Sequence, residues 1–247
     1  MKSIDSASAW FSFKGRRNTD ADLMARMLGM PVRPHPARKG NYADIPGSDA
    51  DPWQDEEGYE RVTVSVPCLM PDNDNIDAVS AWLTGSGDLI FGDEPNRIYH
   101  ARITKEFARA NRAQRLRGQE FTIPFDCEPY RYSADPENDV IRIISAADSF
   151  TNPGTAASLP LLTVIGSGEG TLMIGRNTLL FDDLSAPLHV DCAAKIAYTG
   201  DGSAADPMLL ATQHVTGEWM RIEPGVNNVS FTGGITSVII TPRWRWL

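Results

Sequence analysis

Four histidines, three cysteines and a surplus of carboxylates are the side chains of this 247-residue chain that could support covalent or metal chemistry. His35, His100, His189 and His214 are scattered. None falls in H-E-x-x-H or another spacing that places two imidazoles on one metal. His35 lies between prolines and His100 within an expected strand, so both read as structural or solvent-facing. Cys68, Cys127 and Cys192 are far apart and lack C-x-x-C spacing. A sparse, odd set argues against a disulfide framework and reads as buried thiols in a protein assembled in a reducing cytoplasm. The densest acids, Asp72 with Asp74 and Asp182 with Asp183, lack the alternating ligands and bidentate Glu of a calcium loop. The first pair is helix-start chemistry and the second a turn. Gly166-Ser167-Gly168-Glu169-Gly170 is glycine-rich, but no Lys-Ser/Thr follows it and no helix opens after it, as a phosphate cradle requires. It reads as a flexible connection between strands. With no G-x-S-x-G elbow either, the expectation is a chain with no catalytic residues, no metal and no cofactor.

Two sets of residues that could bind something remain. Lys105–Arg117 carries Arg109, Arg112, Arg115 and Arg117 with only Glu106 in opposition. Three readings stand for it: phosphate contact, a solvated hairpin, and a salt-bridging interface with an acidic neighbour. Few aromatics interleave with these arginines, which argues against base stacking. The second set is Tyr198 and Trp219, whose rings would stack on sugars or pack in a core. The formal net charge of −9 excludes bulk attraction to phosphate backbones or anionic lipid. No stretch approaches the ~20 apolar residues that cross a bilayer. Met1 to Phe13 has no long apolar region, so no export signal is expected.

The elements that must position these residues are mostly short strands. The chain is 42% hydrophobic and 22% charged, with 17 Pro and 20 Gly, which suits a folded β protein rich in turns. A first strand is expected at Ala9–Phe13. A short helix should follow, capped by Thr19, with Leu23, Met24, Met27 and Leu28 at helical spacing and Gly29 and Pro31 to end it. Pro31 to Asp55 reads as irregular, an arm or strand-edge extension. Tyr59 to Val66 alternates as a half-buried strand closed by Pro67 and Pro71. A helix is expected from about Ile76 to Leu83, with Asn73-Asp74-Asn75 at its start and Gly85 past its end. Leu89–Phe91 and Ile98–Ile103 form a hairpin across Pro95-Asn96, and Gln119–Asp126 is the next strand. The polar run Ser133–Asn138 marks a boundary. Beyond it, strands are expected at Val140–Ile144, Leu161–Ile165, Gly170–Ile174, Asn177–Phe181, His189–Asp191, Lys195–Tyr198, Trp219–Ile222, Asn228–Phe231 and Ser237–Pro242, the pattern of an antiparallel sandwich.

Four stretches together resemble the distal tail family of siphophages. They are Ala81–Ile103, with its Trp82-Leu83, Leu89-Ile90-Phe91 and Asp93-Glu94-Pro95; Phe121–Tyr132; Asn152–Thr155 with Pro160–Gly168; and Pro224–Phe231 leading to Pro242–Arg245. They span most of the chain in the family's order, while the region before about Tyr59 matches poorly. The resemblance implies a mainly β fold, with an N-terminal β-rich ring-forming domain over 1–135 containing one or two short helices. Over 136–247 it implies a galectin-like β-sandwich. It implies a structural virion protein and not an enzyme: a homo-hexameric ring at the distal end of a long non-contractile tail. Such a ring docks the tail tube protein on one side and the tail-tip or tape-associated hub protein on the other, and its outer domain holds receptor-binding or accessory proteins or a host glycan. DNA would pass through the lumen without binding, which an acidic chain favours, and nothing would insert in a membrane. The protein would be made in the host cytoplasm and reside at the tail tip. On this reading Arg109, Arg112, Arg115 and Arg117 are interface candidates, and Tyr198 and Trp219 carbohydrate candidates. The alternatives are a stand-alone carbohydrate-binding module, a glycan-degrading enzyme of the tail tip, and another tail-ring or tube subunit.

Overall fold

Alternation of Val62, Val64 and Val66 with Thr63 and Ser65 puts the valines in a core and the polar residues in solvent. The same rule builds most of the chain. The computed structural model describes residues 9–47, 49–70, 76–105, 119–185 and 187–247. It divides into two units, Met1–Ala134 with Leu247, and Asp135–Trp246. Both are mainly β, as the sequence predicts.

The first unit contains β1 (Phe11–Phe13), β2 (Arg16–Arg17), β3 (Arg26–Met27), β4 (Arg38–Tyr42), β5 (Trp53–Tyr59), β6 (Val62–Met70), α1 (Ile76–Trp82), β7 (Ser86–Phe91), β8 (Arg97–Ile103) and β9 (Gln119–Ser133). Its strands run in the order β2-β1-β7-β8-β9-β6-β3, while β4 and β5 form a separate two-stranded sheet. Phe11, Phe13, Phe91, Phe125 and Leu89 lie fully buried in one core with Trp82. Trp82 stacks on Phe11 at 5.5 Å and donates its indole N–H to the Phe13 carbonyl at 2.8 Å. That bond satisfies the one polar atom the ring buries. Helix α1 ends as expected, with Gly85 at φ +69° just past it, the left-handed conformation that glycine adopts without cost. Its expected start at Asn73-Asp74-Asn75 lies outside the described residues.

The helix expected from Thr19 to Leu28 is not there. One turn forms, with the Leu23 and Met24 N–H groups on the Asp20 carbonyl at 2.9 Å, and Met24 then takes φ +46°. The chain extends into β3, turning Leu23, Ala25 and Met27 inward and Met24, Arg26 and Leu28 outward. Buried Asn18 decides this outcome. Its carboxamide oxygen accepts from the Phe11 N–H at 2.9 Å and its amide donates to the Ala25 carbonyl at 2.8 Å. Its backbone N–H donates to the Phe11 carbonyl and its carbonyl accepts from Ala25. One residue thus joins the β2 end of the sheet to the β3 end.

Three further strand expectations need correcting. The irregular stretch Pro31–Asp55 contains hairpin strands β4 and β5, paired Asn41 to Gln54 and Tyr42 to Trp53. Pro67 does not close β6. The strand runs on to Met70, because Pro67 lacks only an N–H while its carbonyl accepts from Leu28. The strand expected over Gln119–Asp126 continues to Ser133.

The second unit contains β10 (Ile141–Ile143), β11 (Ala147–Asn152), β12 (Leu161–Ile174), β13 (Asn177–Phe181), β14 (Leu188–Asp191), β15 (Ile196–Thr199), β16 (Leu209–Leu210), β17 (Val215–Gly217) and β18 (Gly225–Thr241). Two pairs of expected short strands are in fact two long ones, β12 and β18, paired along most of their length. The N-terminal half of β12 also pairs with β14, and the C-terminal half with β13. β18 likewise serves β11 with one half and β10 with the other. The sheet therefore bends over a single core that includes Leu162, Val164, Leu172, Val190, Phe231 and Val238. The bend lies at Gly166–Gly170, where the register shifts. A Cβ on Gly234 would lie 1.6 Å from the Ser167 carbonyl oxygen, so only glycine allows the two backbones to cross there. The Gly-rich run is thus a bulge inside a strand. The strand expected at Trp219–Ile222 is an isolated bridge, because Ile222 exchanges both backbone bonds with Ser158 and receives the Asn152 amide as well.

All three cysteines are buried and free, and burial pushes each thiol up to about 12. Asp191 closes the end of β14. It accepts two bonds from Arg243 at 2.9 Å and the N–H groups of Ala193 and Ala194. The Arg243 guanidinium first, then those amides, hold its carboxyl below the usual carboxylate range.

Two outcomes follow. Asn18→Ala strands the Phe11 N–H and the Ala25 carbonyl, each at about 1–3 kcal/mol. Urea unfolding of the full chain should then show an early transition for the first unit alone. Asp191 binds fewer protons folded than unfolded, so its contribution is complete above the unfolded value of about 3.9 and is lost as pH falls through the lower folded value. Melting temperature measured against pH should show a shallower acid limb for Asp191→Asn than for the parent.

Candidate functional site

Hairpin β4–β5 stands outside the main sheet of its unit and is fastened at its root. The prolines 31, 34 and 36 hold the lead-in extended. Between them Arg33 reaches the β7–β8 turn, with its Nη2 2.5 Å from Asp93 and its Nη1 3.1 Å from Glu94. Its guanidinium also lies 4.6 Å from the centre of the Phe91 ring. Glu94 accepts in addition from Arg131 on β9 at 3.2 Å. The turn Asp93-Glu94-Pro95 therefore does more than reverse the chain, since its two carboxylates hold two arginines. The Arg33 side chain is 18% exposed, which shields these pairs more than an ordinary surface ion pair.

A second layer fixes where the hairpin begins. Tyr59 packs edge-on to His35 and to Tyr130, with ring centres at 6.4 and 5.9 Å. The Arg38 guanidinium lies 5.3 Å from the Tyr59 ring and binds both oxygens of Asp55 across the hairpin. This fork draws the Asp55 carboxyl below its usual range. Glu57 and Gly58, at φ +55° and +107°, form the bulge that brings Tyr59 opposite Arg38.

Beyond the root the hairpin is bare. Trp53 lies across Gly40, whose Cβ would fall 2.5 Å from the indole. Tyr42 meets Trp53 edge-on at 5.0 Å. Tyr42 remains 67% exposed and Trp53 44%. Only hairpin register joins these two residues, and neither was singled out in the sequence. The signal that marks them is Pro46-Gly47 between two aromatic-bearing segments, a turn dipeptide.

The outer face of β7, β8 and β9 is polar. Asp88 pairs with His100 at 2.9 Å, Arg61 with Asp126 at 3.0 Å, and Glu128 accepts from the Tyr132 hydroxyl at 3.0 Å. This is a charge-alternating face, suited to a polar contact. Among the described residues no group of three or more His, Cys, Asp or Glu is arranged to hold a metal.

The sequence candidates fall as follows. Arg109, Arg112, Arg115 and Arg117 lie outside the described residues. Tyr198 is on β15, opposite His189 of β14, and the two rings stack at 5.2 Å. His189 in turn meets the Thr163 hydroxyl at 3.0 Å. The residues alternating with these, Leu162, Val190 and Ala197, fill the core, so Tyr198 belongs to an outer face. Trp219 packs against the core from beyond β17. The two carbohydrate candidates thus lie on different segments of the second unit. His214 pairs with Asp182 at 2.7 Å, and His35 contacts the Pro36 carbonyl at 2.9 Å.

No family model and no curated protein sequence matches the chain. Among solved structures it is similar to the SPP1 Dit (gp 19.1) protein, a paradigm of the hub adsorption apparatus in phages that infect Gram-positive bacteria. The TM-score is 0.72 at 17% identity, over 96% of this chain and 99% of that one. The chain therefore has the Dit fold from end to end.

Arg33→Ala should loosen the hairpin root without unfolding the core. Limited proteolysis is expected to cut between residues 38 and 59 several-fold faster, with the melting temperature of each unit nearly unchanged. Arg33→Lys should rescue only in part, because a point ammonium cannot serve Asp93, Glu94 and the Phe91 ring together.

Proposed function

We propose that this chain is a structural subunit of a phage tail hub, a protomer of a closed six-membered ring at the distal end of a long non-contractile tail. The observation that carries the reading is the end-to-end likeness to the Dit fold, joined to a hairpin fastened at its root and bare along its length. An isolated two-stranded hairpin is marginal in water, so one that is anchored and uncovered suits a contact made on assembly. Residues 1–135 form the ring, which sits between the tail tube and the tail-tip hub protein. Residues 136–247 form the outer galectin-like domain, which holds receptor-binding or accessory proteins. Its face at Thr163, His189 and Tyr198 is where a host glycan would stack. Arg109, Arg112, Arg115 and Arg117 meet an acidic surface of a neighbouring subunit. DNA passes through the lumen unbound, consistent with the net charge of −9. The chain is a virion component assembled in the host cytoplasm, and it catalyses nothing.

The test is the solution mass of the purified full chain by light scattering, with negative-stain imaging. The expected result is a mass near six times 27.1 kDa with annular particles. Open tubes of indefinite length would instead identify a tube subunit. A monomer that binds glycans would identify a carbohydrate-binding module.

A further inference from the structure

The sheet of the second unit ends on an apolar strand. β16 is last in the order β10-β18-β12-β14-β15-β16, and among the described residues no strand pairs with its far side. Met208, Leu209 and Leu210 are 52%, 61% and 69% exposed, three large apolar side chains in succession. The ladder to β15 shows which backbone groups are free. The Ala211 N–H donates to the Ala197 carbonyl at 2.8 Å, and Leu210 is the next residue, opposite Tyr198. Bonded and non-bonded pairs alternate along an antiparallel ladder, so the N–H and carbonyl of Leu210 point away from β15. The two leucines face opposite ways. Leu209 continues the row of Thr199 and buried Leu188, where a cavity of about 220 Å³ opens beside Gln213 and His214. Leu210 continues the outer row Thr163, His189 and Tyr198. Exposed edges are ordinarily blunted by Lys. Here the surrounding charge is acidic. Asp183 lines the cavity, and Asp201 and Asp206 lie in the connection from β15 to β16. From Asn177 to Met220 the one Lys or Arg is Lys195, at the other end of β15.

We infer that β16 is a strand acceptor: an extended segment of another protein, with apolar and basic residues in alternation, adds to its free edge. The inference rests on the reading of the second unit as a holder of other tail-tip proteins, and it names the contact. The segment adds antiparallel, like the other ladders of this sheet. Leu210 exchanges two backbone hydrogen bonds with it, the source of affinity in strand addition. The residue bonded to Leu210 has its side chain on the outer face, and its neighbours in the segment turn inward, where the cavity beside Leu188 takes an apolar group. The acids call for Lys or Arg at the remaining positions. A second copy of the same edge would set Asp183, Asp201 and Asp206 against themselves, so the occupant is a different, basic segment. Pro207 has no N–H to offer and keeps the contact short.

The probe is a synthetic peptide blocked at both ends, Lys-Val-Lys-Val-Lys-Val, titrated into the full chain by calorimetry. One peptide should bind per chain, more weakly as salt rises, and the Leu210 N–H should exchange more slowly in its presence. Two further peptides separate strand addition from attraction of charge. N-methylation at the Lys nitrogens removes the donors that face Leu210 and should weaken binding about tenfold or more. N-methylation at the Val nitrogens leaves those donors in place and should weaken it far less. On the protein side, Leu210→Pro removes the outward N–H and leaves the ladder to β15 intact. It should lose affinity to a similar degree while melting close to the parent. A parent peptide that does not bind, or two methylated peptides that bind alike, would overturn the inference. Light scattering on the same samples keeps the two readings apart. Rings that ignore the peptide strike the acceptor and leave the hub reading standing, whereas a monomer that binds it with the expected methylation pattern strikes the ring and keeps the acceptor.

Discussion

The first unit depends on a single buried carboxamide. A sheet ordered β2-β1-β7-β8-β9-β6-β3 has two ends, and each end strand is only two residues long. Strands that short cannot hold an edge alone. Asn18 joins them by using its backbone and its side chain as two parallel hydrogen-bonding ladders, one to Phe11 and one to Ala25. Because the site is buried, each of these bonds is worth more than its net value in water, and a missing partner costs more still. Closure then sets the facing of everything nearby. Leu23, Ala25 and Met27 face the core only because Ala25 is held opposite Asn18, and Met24, Arg26 and Leu28 are thereby turned to solvent.

What leaves the closed sheet is held by charge rather than by burial. Several ion pairs among the described residues, such as Arg221–Glu223 and Arg16–Asp22, join exposed groups and contribute little to stability. The group around Glu94 differs in kind. Two carboxylates and two guanidinia meet in a partly buried, charge-balanced network, and one guanidinium also lies on an aromatic face. Arg33 and Glu94 each have more than one partner, so the root is held by more than one bond.

How much of this was legible in the sequence varies by element. The β7–β8 hairpin, α1 and β13 could be read because local pattern and tertiary demand agree there. The Leu/Met run before Gly29 also fits a strand, since Leu23, Ala25 and Met27 alternate. The deciding residue, Asn18, acts through a carboxamide that pattern reasoning counts only as polar. In the second unit, glycines at Gly166–Gly170 and Gly233–Gly234 read as breaks between strands. In space they face one another and let two long strands bend together. The Pro-rich stretch read as an arm, and its prolines do extend the lead-in. Its hairpin escaped notice because Tyr42 and Trp53 meet only once the turn is closed. The three thiols were the easiest inference, since burial of free cysteine is the ordinary case.

Each unit has its own core, and each core is complete without the other. This separates folding from assembly. Copies of a chain that carries −9 repel one another at long range, so association cannot come from bulk charge. It requires local patches of opposite sign backed by apolar area, where short-range contact exceeds the screened repulsion.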